Sequence, residues 1–392
     1  MKFGGSVLTD GHAIRRAAEQ IKTEVEKGNR VVAVVSALKG ETDRLLEITN
    51  AISHKTPPSV KDHIIRLGEE QSTRLLSSAL NLIGVPSEEL TVDKPGWPII
   101  TDCTFGNAEP LIGECEKAVK HSLEPFLLSG ITPVVSGFVG RSTDGEVTTL
   151  GRGGSDTTAT VLARCLGADE LILVKDVGGV FTADPNKVKN AEKLEKISTR
   201  EAHHLSSTGA KVVHDKVFRY GNSGLGIRLI SEGDDLSGNG TLIEGPAPEI
   251  DVQVNPGPVH KFTLVGDKMD WKILPDAVNR ITEIGGIVRS TELHEGSLSI
   301  LVSHDAKESL VALHGLVGQH DIQGITAREN LKQVSITGID IERVRREVWR
   351  IASAPSVHGV RFSRTGVSIT LDSIEPLENV LSPLLELVTT LP

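Results

Sequence analysis

The chain has 392 residues, too many for one ordinary hydrophobic core, so two or three domains are expected. Hydrophobic residues make up 38% and charged residues 24%, as in globular proteins, and no apolar run reaches the roughly 18 to 20 residues that a membrane-spanning helix needs. A formal net charge of -10 argues against a general nucleic-acid-binding protein.

The first 235 residues alternate between helical and strand patterns. Residues 13–25 carry an apolar stripe at helical spacing, and 31–35 form a β-branched run typical of a buried parallel strand. The further predicted elements are helices at 43–53 and 61–83, strands at 133–138 and 146–150, a helix at 155–166 capped by Ser155 or Asp156, and a strand at 170–174. This alternation predicts a mostly parallel sheet with helices on both faces.

Composition changes at residues 232–258, which are rich in glycine, proline and acidic residues, and we expect a linker at 236–257 after a first domain at 1–235. Two units of similar length follow, at 258–330 and 331–392. Each has the predicted order strand, helix, strand, strand, helix, which indicates tandem ferredoxin-like domains. The predicted elements are 262–265, 272–284, 286–293, 297–303 and 306–316 in the first unit, and 334–337, 341–352, 358–363, 366–371 and 375–389 in the second.

The three cysteines are scattered and odd in number, so neither a disulfide framework nor a zinc site is expected. The first residues, Lys2-Phe3-Gly4-Gly5, lack the charged-then-apolar pattern of a secretory signal. Both features favour a reducing compartment, and we expect a cytoplasmic protein.

Three glycine-containing turns are candidates for chemistry. Residues 148–158 (TTLGRGGSDTT) place three glycines and Arg152 before a predicted helix, whose N-terminus can bind an anion, while arginine is a forked donor for carboxylate or phosphate. A second turn lies at residues 2–6, and a third, 175–185, follows a predicted strand end, where α/β sheets bind ligands. Each turn alone is equally compatible with a structural role. No Walker A pattern and no protein-kinase HRD or DFG signature occurs.

Together these segments resemble the aspartokinase branch of the amino-acid kinase family. The resemblance covers about residues 1–230 and is carried by motifs in the family's order. They are KFGGSV at 2–7, VVSALKGETD at 34–43, LGEEQS at 67–72, GFVGRSTDGEVTTLGRGGSDTTA at 137–159, KDVGGVFTADP at 175–185 and GAKVVH at 209–214. The C-terminal units are similar in layout to the paired ACT domains of these enzymes.

The resemblance implies ATP and Mg²⁺ as cofactors and a small amino acid, foremost L-aspartate, as substrate. Implied catalytic residues are Lys2, Asp156 and Lys211. Implied nucleotide-binding residues are Lys2, Gly4, Gly5, Ser6, Lys175, Asp176, Phe181, Asn186, Lys211 and Val212, with Lys175 at a position where the family usually has threonine or serine. Implied substrate-binding residues are Ser36, Thr42, Glu69, Arg152, Gly153, Gly154 and Ser155, with Arg152 on a carboxylate and Glu69 on the α-ammonium group.

The implied reaction forms 4-phospho-L-aspartate and ADP, the first step of the aspartate-family pathway to lysine and threonine. An ionised carboxylate needs no general base, only in-line positioning and offset of charge. Two alternatives remain open: a family kinase acting on another small amino acid such as homoserine, and a sensor that binds nucleotide and amino acid without turnover. The resemblance also implies a homodimer or higher homo-oligomer formed through residues 258–392.

Overall fold

The computed structural model describes two compact units, at 1–248 and 249–392. Among the described residues, no helix is both long enough and apolar enough to cross a bilayer. The described residues are 1–185, 187–207, 213–221, 224–234, 240–245, 251–255, 257–267, 271–319, 321–337, 341–363 and 366–373.

The first unit contains an eight-stranded sheet, two small sheets and flanking helices. Its strands are β1 (Lys2–Phe3), β2 (Ala33–Val35), β3 (Ser87–Leu90), β4 (Ile100–Thr101), β5 (Thr132–Ser136), β6 (Val139–Ser142), β7 (Val147–Thr149), β8 (Glu170–Lys175), β9 (Val180–Phe181), β10 (Lys193–Leu194), β11 (Lys196–Ser198), β12 (Gly226–Ser231) and β13 (Thr241–Glu244). Its helices are α1 (Gly11–Glu26), α2 (Glu41–Ile52), α3 (Pro58–Leu82), α4 (Ile112–Ser122), α5 (Glu124–Leu128), α6 (Gly154–Leu166), α7 (Thr199–Ser207) and α8 (Asp215–Tyr220).

The main sheet has the strand order β11-β13-β12-β8-β1-β2-β5-β3. Every neighbouring pair is parallel except β12 and β13. Successive residues of β2 serve opposite faces. Val34 belongs to the apolar cluster that includes residues of α4 and α6, whereas Ala33 and Val35 belong to the cluster that includes residues of α1 and α3. The mostly parallel sheet with helices on both faces is confirmed.

The predicted cap of the helix at 155–166 was wrong. The helix begins at Gly154, with Gly153 as its N-cap in the left-handed region, and no side chain caps it. Ser155 and Asp156 therefore lie inside the first turn, and neither side chain caps the helix. The strands β3, β4, β6 and β9–β13 were not predicted, and all of them have two to four residues except β12, which has six.

The second unit is one seven-stranded antiparallel sheet with helices. Its strands are β14 (Asp251–Val254), β15 (Val259–Gly266), β16 (Ile287–His294), β17 (Ser297–Ser303), β18 (Ile322–Thr337), β19 (Val357–Ser363) and β20 (Gly366–Asp372). Its described helices are α9 (Ile273–Glu283), α10 (Ala306–His314) and α11 (Ile341–Ala352).

One long strand joins the two ferredoxin-like repeats. The 16-residue β18 pairs with β15 of the first repeat and, further along, with β20 of the second, while β14 pairs with its last residues. The sequence pattern predicts a strand only over residues 334–337, the last four residues of β18. The tandem ferredoxin-like arrangement is confirmed, with both repeats contributing to one sheet. The helix predicted at 375–389 lies outside the described residues.

Candidate functional site

The carboxyl ends of four parallel strands meet at one edge of the main sheet. Lys2 in β1 pairs with Val34 in β2 and with Leu173 in β8, and β5 lies beside β2 in the same direction. The loops that leave these strands therefore share one edge, which is where open α/β sheets bind their ligands.

A cavity of about 460 Å³ lies among these loops. The predicted site residues that line it are Lys2, Gly5, Ser6, Ser36, Thr42, Glu69, Arg152, Gly153, Gly154, Ser155 and Asp156. Residues that also line it and were not singled out are Ala37, Leu38, Lys39, Gly40, Asp43, Phe138 and Gly151. All seven residues of the second group fall inside the motifs noted at 34–43 and 137–159, although no role was implied for them there.

The other predicted site residues are placed differently. Gly4 adjoins the cavity, since a side chain there would lie 3.4 Å from the Lys2 Nζ atom. Neither Asp176 nor Phe181 is among the cavity's lining residues. The predicted nucleotide-binding residues Asn186, Lys211 and Val212 lie outside the described residues.

A buried carboxylate joins two lysines beside the cavity. Lys2 Nζ lies 2.6 Å from Asp156 Oδ1, and Lys175 Nζ lies 3.3 Å from Asp156 Oδ2. Burial alone would raise the pKa of Asp156, but the two ammonium groups outweigh it and hold that pKa below its ordinary value. Burial lowers the pKa of Lys175, and the charge of Lys2 lowers it further against the opposing effect of Asp156. Lys2, Lys175 and Asp156 together carry a net positive charge. This charged cluster lies next to the turn Gly4-Gly5-Ser6.

Two glycines let the loops after β1 and β2 approach each other and α3. A Cβ on Gly5 would lie 2.9 Å from the Ala37 carbonyl oxygen, and a Cβ on Gly68 would lie 2.8 Å from the Ala37 Cβ. Since no side chain fits at either point, α3 packs closely against the loop after β2. This contact brings the next residue of α3, Glu69, to the cavity.

The carboxyl group of Glu69 is buried and only partly satisfied. Glu69 is 3% exposed, and its Oε2 atom has no hydrogen-bond partner among the described residues. Burial raises the pKa of Glu69 to about 8, although the backbone amide of Ala37 acts in the opposite direction. A buried carboxyl that lines a cavity with an unused oxygen is suited to a cationic ligand group.

The glycine-rich turn places Arg152 at the mouth of the cavity. Gly151 and Gly153 both have φ of +70°, and the Gly154 amide donates to the Gly151 carbonyl oxygen at 3.0 Å. Between them, Arg152 is exposed and lines the cavity. The turn leads directly into α6, so the cavity combines a guanidinium group with a helix N-terminus, both of which favour anions.

The backbone is strained at Phe138, near the glycine-rich turn. Phe138 follows β5 with φ of +67°, which is unusual for a bulky residue. Its amide donates to Thr158 Oγ1 at 3.0 Å, and its carbonyl oxygen accepts from the Leu150 amide at 2.9 Å. These bonds join the end of β5 to α6 and to the residue before the glycine-rich turn.

Gly153→Ala is expected to reduce activity at this site by at least tenfold. A Cβ at Gly153 would lie 2.4 Å from the His214 ring, and alanine at positive φ costs on the order of 1 kcal/mol before that clash. Gly130→Ala is the matched control, because Gly130 has φ of +72° and open space around its Cβ position. Turnover and melting temperature would be compared in both variants, and equal losses of turnover would contradict the role of the clash.

The model of the Amino acid kinase family matches residues 1–231. An aspartokinase of Bacillus sp. (strain MGA3) is 35% identical over 353 residues, covering 86% of this chain and 83% of the relative. An aspartokinase of Thermus thermophilus is 30% identical over 386 residues, 94% of this chain and 90% of the relative. Against the Mycobacterium tuberculosis aspartokinase, the match covers 68% of this chain and 63% of the relative at 35% identity.

Solved structures give the same picture of the fold. The aspartate kinase from Synechocystis superposes with a TM-score of 0.72 and 25% identity, covering 100% of this chain and 69% of that one. Aspartokinase III of E. coli, in a complex with aspartate and ADP, has a TM-score of 0.56 and 22% identity, covering 99% of each chain. At that identity the second likeness concerns the fold alone.

Proposed function

The chain belongs to the aspartokinases of the amino acid kinase family, and from this membership we propose that it transfers the γ-phosphoryl group of ATP to the β-carboxylate of L-aspartate. The products are 4-phospho-L-aspartate and ADP. The observation that carries the proposal is the single cavity lined by Lys2, Glu69 and Arg152, which offers a cation for phosphate and opposite charges for the two ends of an amino acid.

On the nucleotide side, Lys2 and the turn at Gly4–Ser6 are proposed to hold the phosphates. Asp156 keeps Lys2 in place through the 2.6 Å ion pair, and Lys175 adds a second positive charge. Charge that spreads over the transferred phosphoryl group would meet these cations without further reorganisation. Lys211 and Val212 are proposed to approach the nucleotide from the segment before His214.

Mg²⁺ is proposed as the accompanying metal. Proteins usually hold this ion through substrate phosphates together with one or two carboxylates. The cavity offers the exposed carboxylate of Asp43 for this purpose, which fits a Mg²⁺ ion carried mainly by the nucleotide phosphates. When bound, the ion neutralises phosphate charge.

On the acceptor side, Glu69 is proposed to receive the α-ammonium group and Arg152 the α-carboxylate. Ser36, Thr42, Gly153, Gly154 and Ser155 complete the acceptor pocket as proposed substrate-binding residues. The β-carboxylate of aspartate, with a pKa near ~4, is ionised at neutral pH, so the chain has no proton to remove from it. The work of the site is then to align two anions and offset their repulsion.

Coupled measurement of ADP release tests the function. With Mg²⁺-ATP and L-aspartate, we expect ADP to form and hydroxylamine to trap the product as a hydroxamate, because an acyl phosphate reacts with hydroxylamine. Homoserine offered in its place should give no product, and chelation of Mg²⁺ should stop the reaction. A stable phosphate ester from homoserine, with no hydroxamate from aspartate, would replace aspartate as the acceptor.

Location and assembly complete the proposal. We place the enzyme in the cytoplasm, consistent with its three free cysteines. We also propose a homodimer or higher homo-oligomer assembled through residues 258–392, since antiparallel sheets with an edge strand such as β16 can pair between chains. Light scattering on the full chain would report the number of subunits, and a monomer would exclude this assembly.

A further inference from the structure

Next to the glycine-rich turn lies a buried lysine that does not line the cavity and that the proposed mechanism does not use. Lys216 in α8 is 5% exposed. Its Nζ atom donates to the Leu150 carbonyl oxygen at 2.8 Å and to Asn107 Oδ1 at 3.0 Å. Leu150 directly precedes Gly151, so the ammonium group holds the residue at which the turn begins.

The charge of Lys216 is compensated where it lies. Glu109 Oε1 is 3.6 Å from Lys216 Nζ, and the same carboxylate accepts from Arg219 at 3.1 Å and from the Tyr220 hydroxyl. A buried ion is tolerated when it is paired and hydrogen-bonded in this way. Because Arg219 and Tyr220 also bind Glu109, loss of Lys216 would not leave that carboxylate without a partner.

The segment that carries Lys216 contacts the turn at a second point. The ring of His214 lies against Gly153, whose Cβ position is 2.4 Å from the ring. Asn107, a partner of Lys216, lies equally close to Gly151, at 2.4 Å from its Cβ position. His214, directly before α8, and Asn107, which binds Lys216, therefore contact the two ends of the turn that carries Arg152.

We propose that Lys216 is a positioning residue, which fixes the turn at 151–154 and thereby sets where Arg152 meets the acceptor carboxylate. This inference rests on the proposed function, since it assigns Arg152 to the acceptor. The residue touches no substrate itself. Replacing Lys216 should therefore impair the use of the acceptor and leave ATP binding unchanged, whereas a general loss of folding would impair both.

Lys216→Met tests the proposal in the full-length enzyme, because methionine keeps much of the side-chain volume and removes the donors. We expect kcat/KM for aspartate to fall by about 10²-fold, the size of effect that misplacement of a binding group can produce. The KM for ATP should stay within about threefold of wild type. Lys216→Arg retains a buried cation and donors, and it should restore a large part of the loss.

Two further variants keep the test decisive. Asn107→Ala alters an exposed residue that partners Lys216, so it should fold normally and raise the acceptor KM by about tenfold. Lys94→Met is the control, since Lys94 pairs with Glu88 and Glu89 and does not line the cavity. Unchanged aspartate kinetics in folded Lys216→Met and in Asn107→Ala, or equal losses for ATP and aspartate, would overturn the positioning role. A wild-type enzyme that does not phosphorylate aspartate would instead reject the proposed function.

Discussion

Asp156→Asn is expected to reduce kcat by about 10² to 10³-fold, the loss typical of removing one electrostatic contact from a preorganised site. Asp156 lies between Lys2 and Lys175, at 2.6 Å and 3.3 Å. Asparagine keeps the shape of the side chain but removes the charge that holds the two ammonium groups. Lys2 would then lose its fixed direction towards the proposed phosphate position.

The stability of this variant depends on how well the two lysine charges are still compensated. Removing one partner of a buried ion pair commonly costs about 3–5 kcal/mol, because a charge is left uncompensated. Burial and the charge of Lys2 already lower the pKa of Lys175. In Asp156→Asn the opposing effect of that carboxylate disappears, so the pKa of Lys175 should fall further and offset part of that cost. The loss of stability should accordingly fall below that range of about 3–5 kcal/mol.

Lys175→Thr is the matched comparison, since threonine is a residue that the family usually has at this position. Asp156 would keep Lys2, and we expect kcat to change by less than about tenfold. Single-turnover rates and melting temperatures of both variants would be measured. If Asp156→Asn loses no more activity than Lys175→Thr, the carboxylate is not what organises the phosphate side.

The stability of the protein at acid pH is an independent test of the cluster formed by Lys2, Asp156 and Lys175. Because the pKa of Asp156 is held below its ordinary value of 3.8, its ion pairs contribute stability above that pH. The contribution is lost as the pH falls through the lower pKa of the folded protein. Asp156→Asn should flatten this part of the wild-type stability profile.

The architecture was predictable where the sequence has a period and was missed where it has none. Long helices such as α1 and α3 carry apolar stripes, and buried parallel strands are β-branched runs. Strands of two to four residues are too short to show alternation. The middle of β18, at residues 326–330, is exposed, so its sequence is polar and gives no strand signal although the backbone pairs with β15.

The site residues were likewise predictable only where the sequence carries a local signal. Glycine turns mark the loops at β1 and α6, because only glycine accepts those backbone angles and close approaches. Lys216 carries no local signal, since its partners Leu150 and Asn107 lie 66 and 109 residues away along the chain. Supporting contacts of this kind emerge only when the fold is known.

Acceptor binding is expected to release a proton at pH 7, through Glu69. Burial raises the pKa of this carboxyl group from 4.5 to about 8, so most of it is protonated in the unliganded enzyme at pH 7. An ammonium group placed against it would favour the charged form and lower that pKa. The Kd for aspartate should therefore tighten by up to about tenfold per pH unit as the pH rises towards 8, and then level off.

The same group should make the unliganded protein less stable as the pH rises. Between pH 4.5 and about 8 the folded state holds a proton on Glu69 that the unfolded state has lost. Stability therefore falls with pH across this window, because the unfolded state binds fewer protons. Saturating aspartate should remove the slope, and so should Glu69→Gln.

Calorimetric titration with aspartate in two buffers of different ionisation enthalpy counts the protons directly. Wild type should release close to one proton at pH 7, while Glu69→Gln should bind about 10²-fold more weakly and without proton release. Glu70→Gln is the matched control, because Glu70 is equally buried at 3% exposed but is paired with Arg66 and Arg74 and does not line the cavity. That change should cost stability and leave aspartate binding and its proton release intact. Proton release that persists in Glu69→Gln would assign the titrating group elsewhere, and normal affinity in that variant would remove Glu69 from the ammonium site.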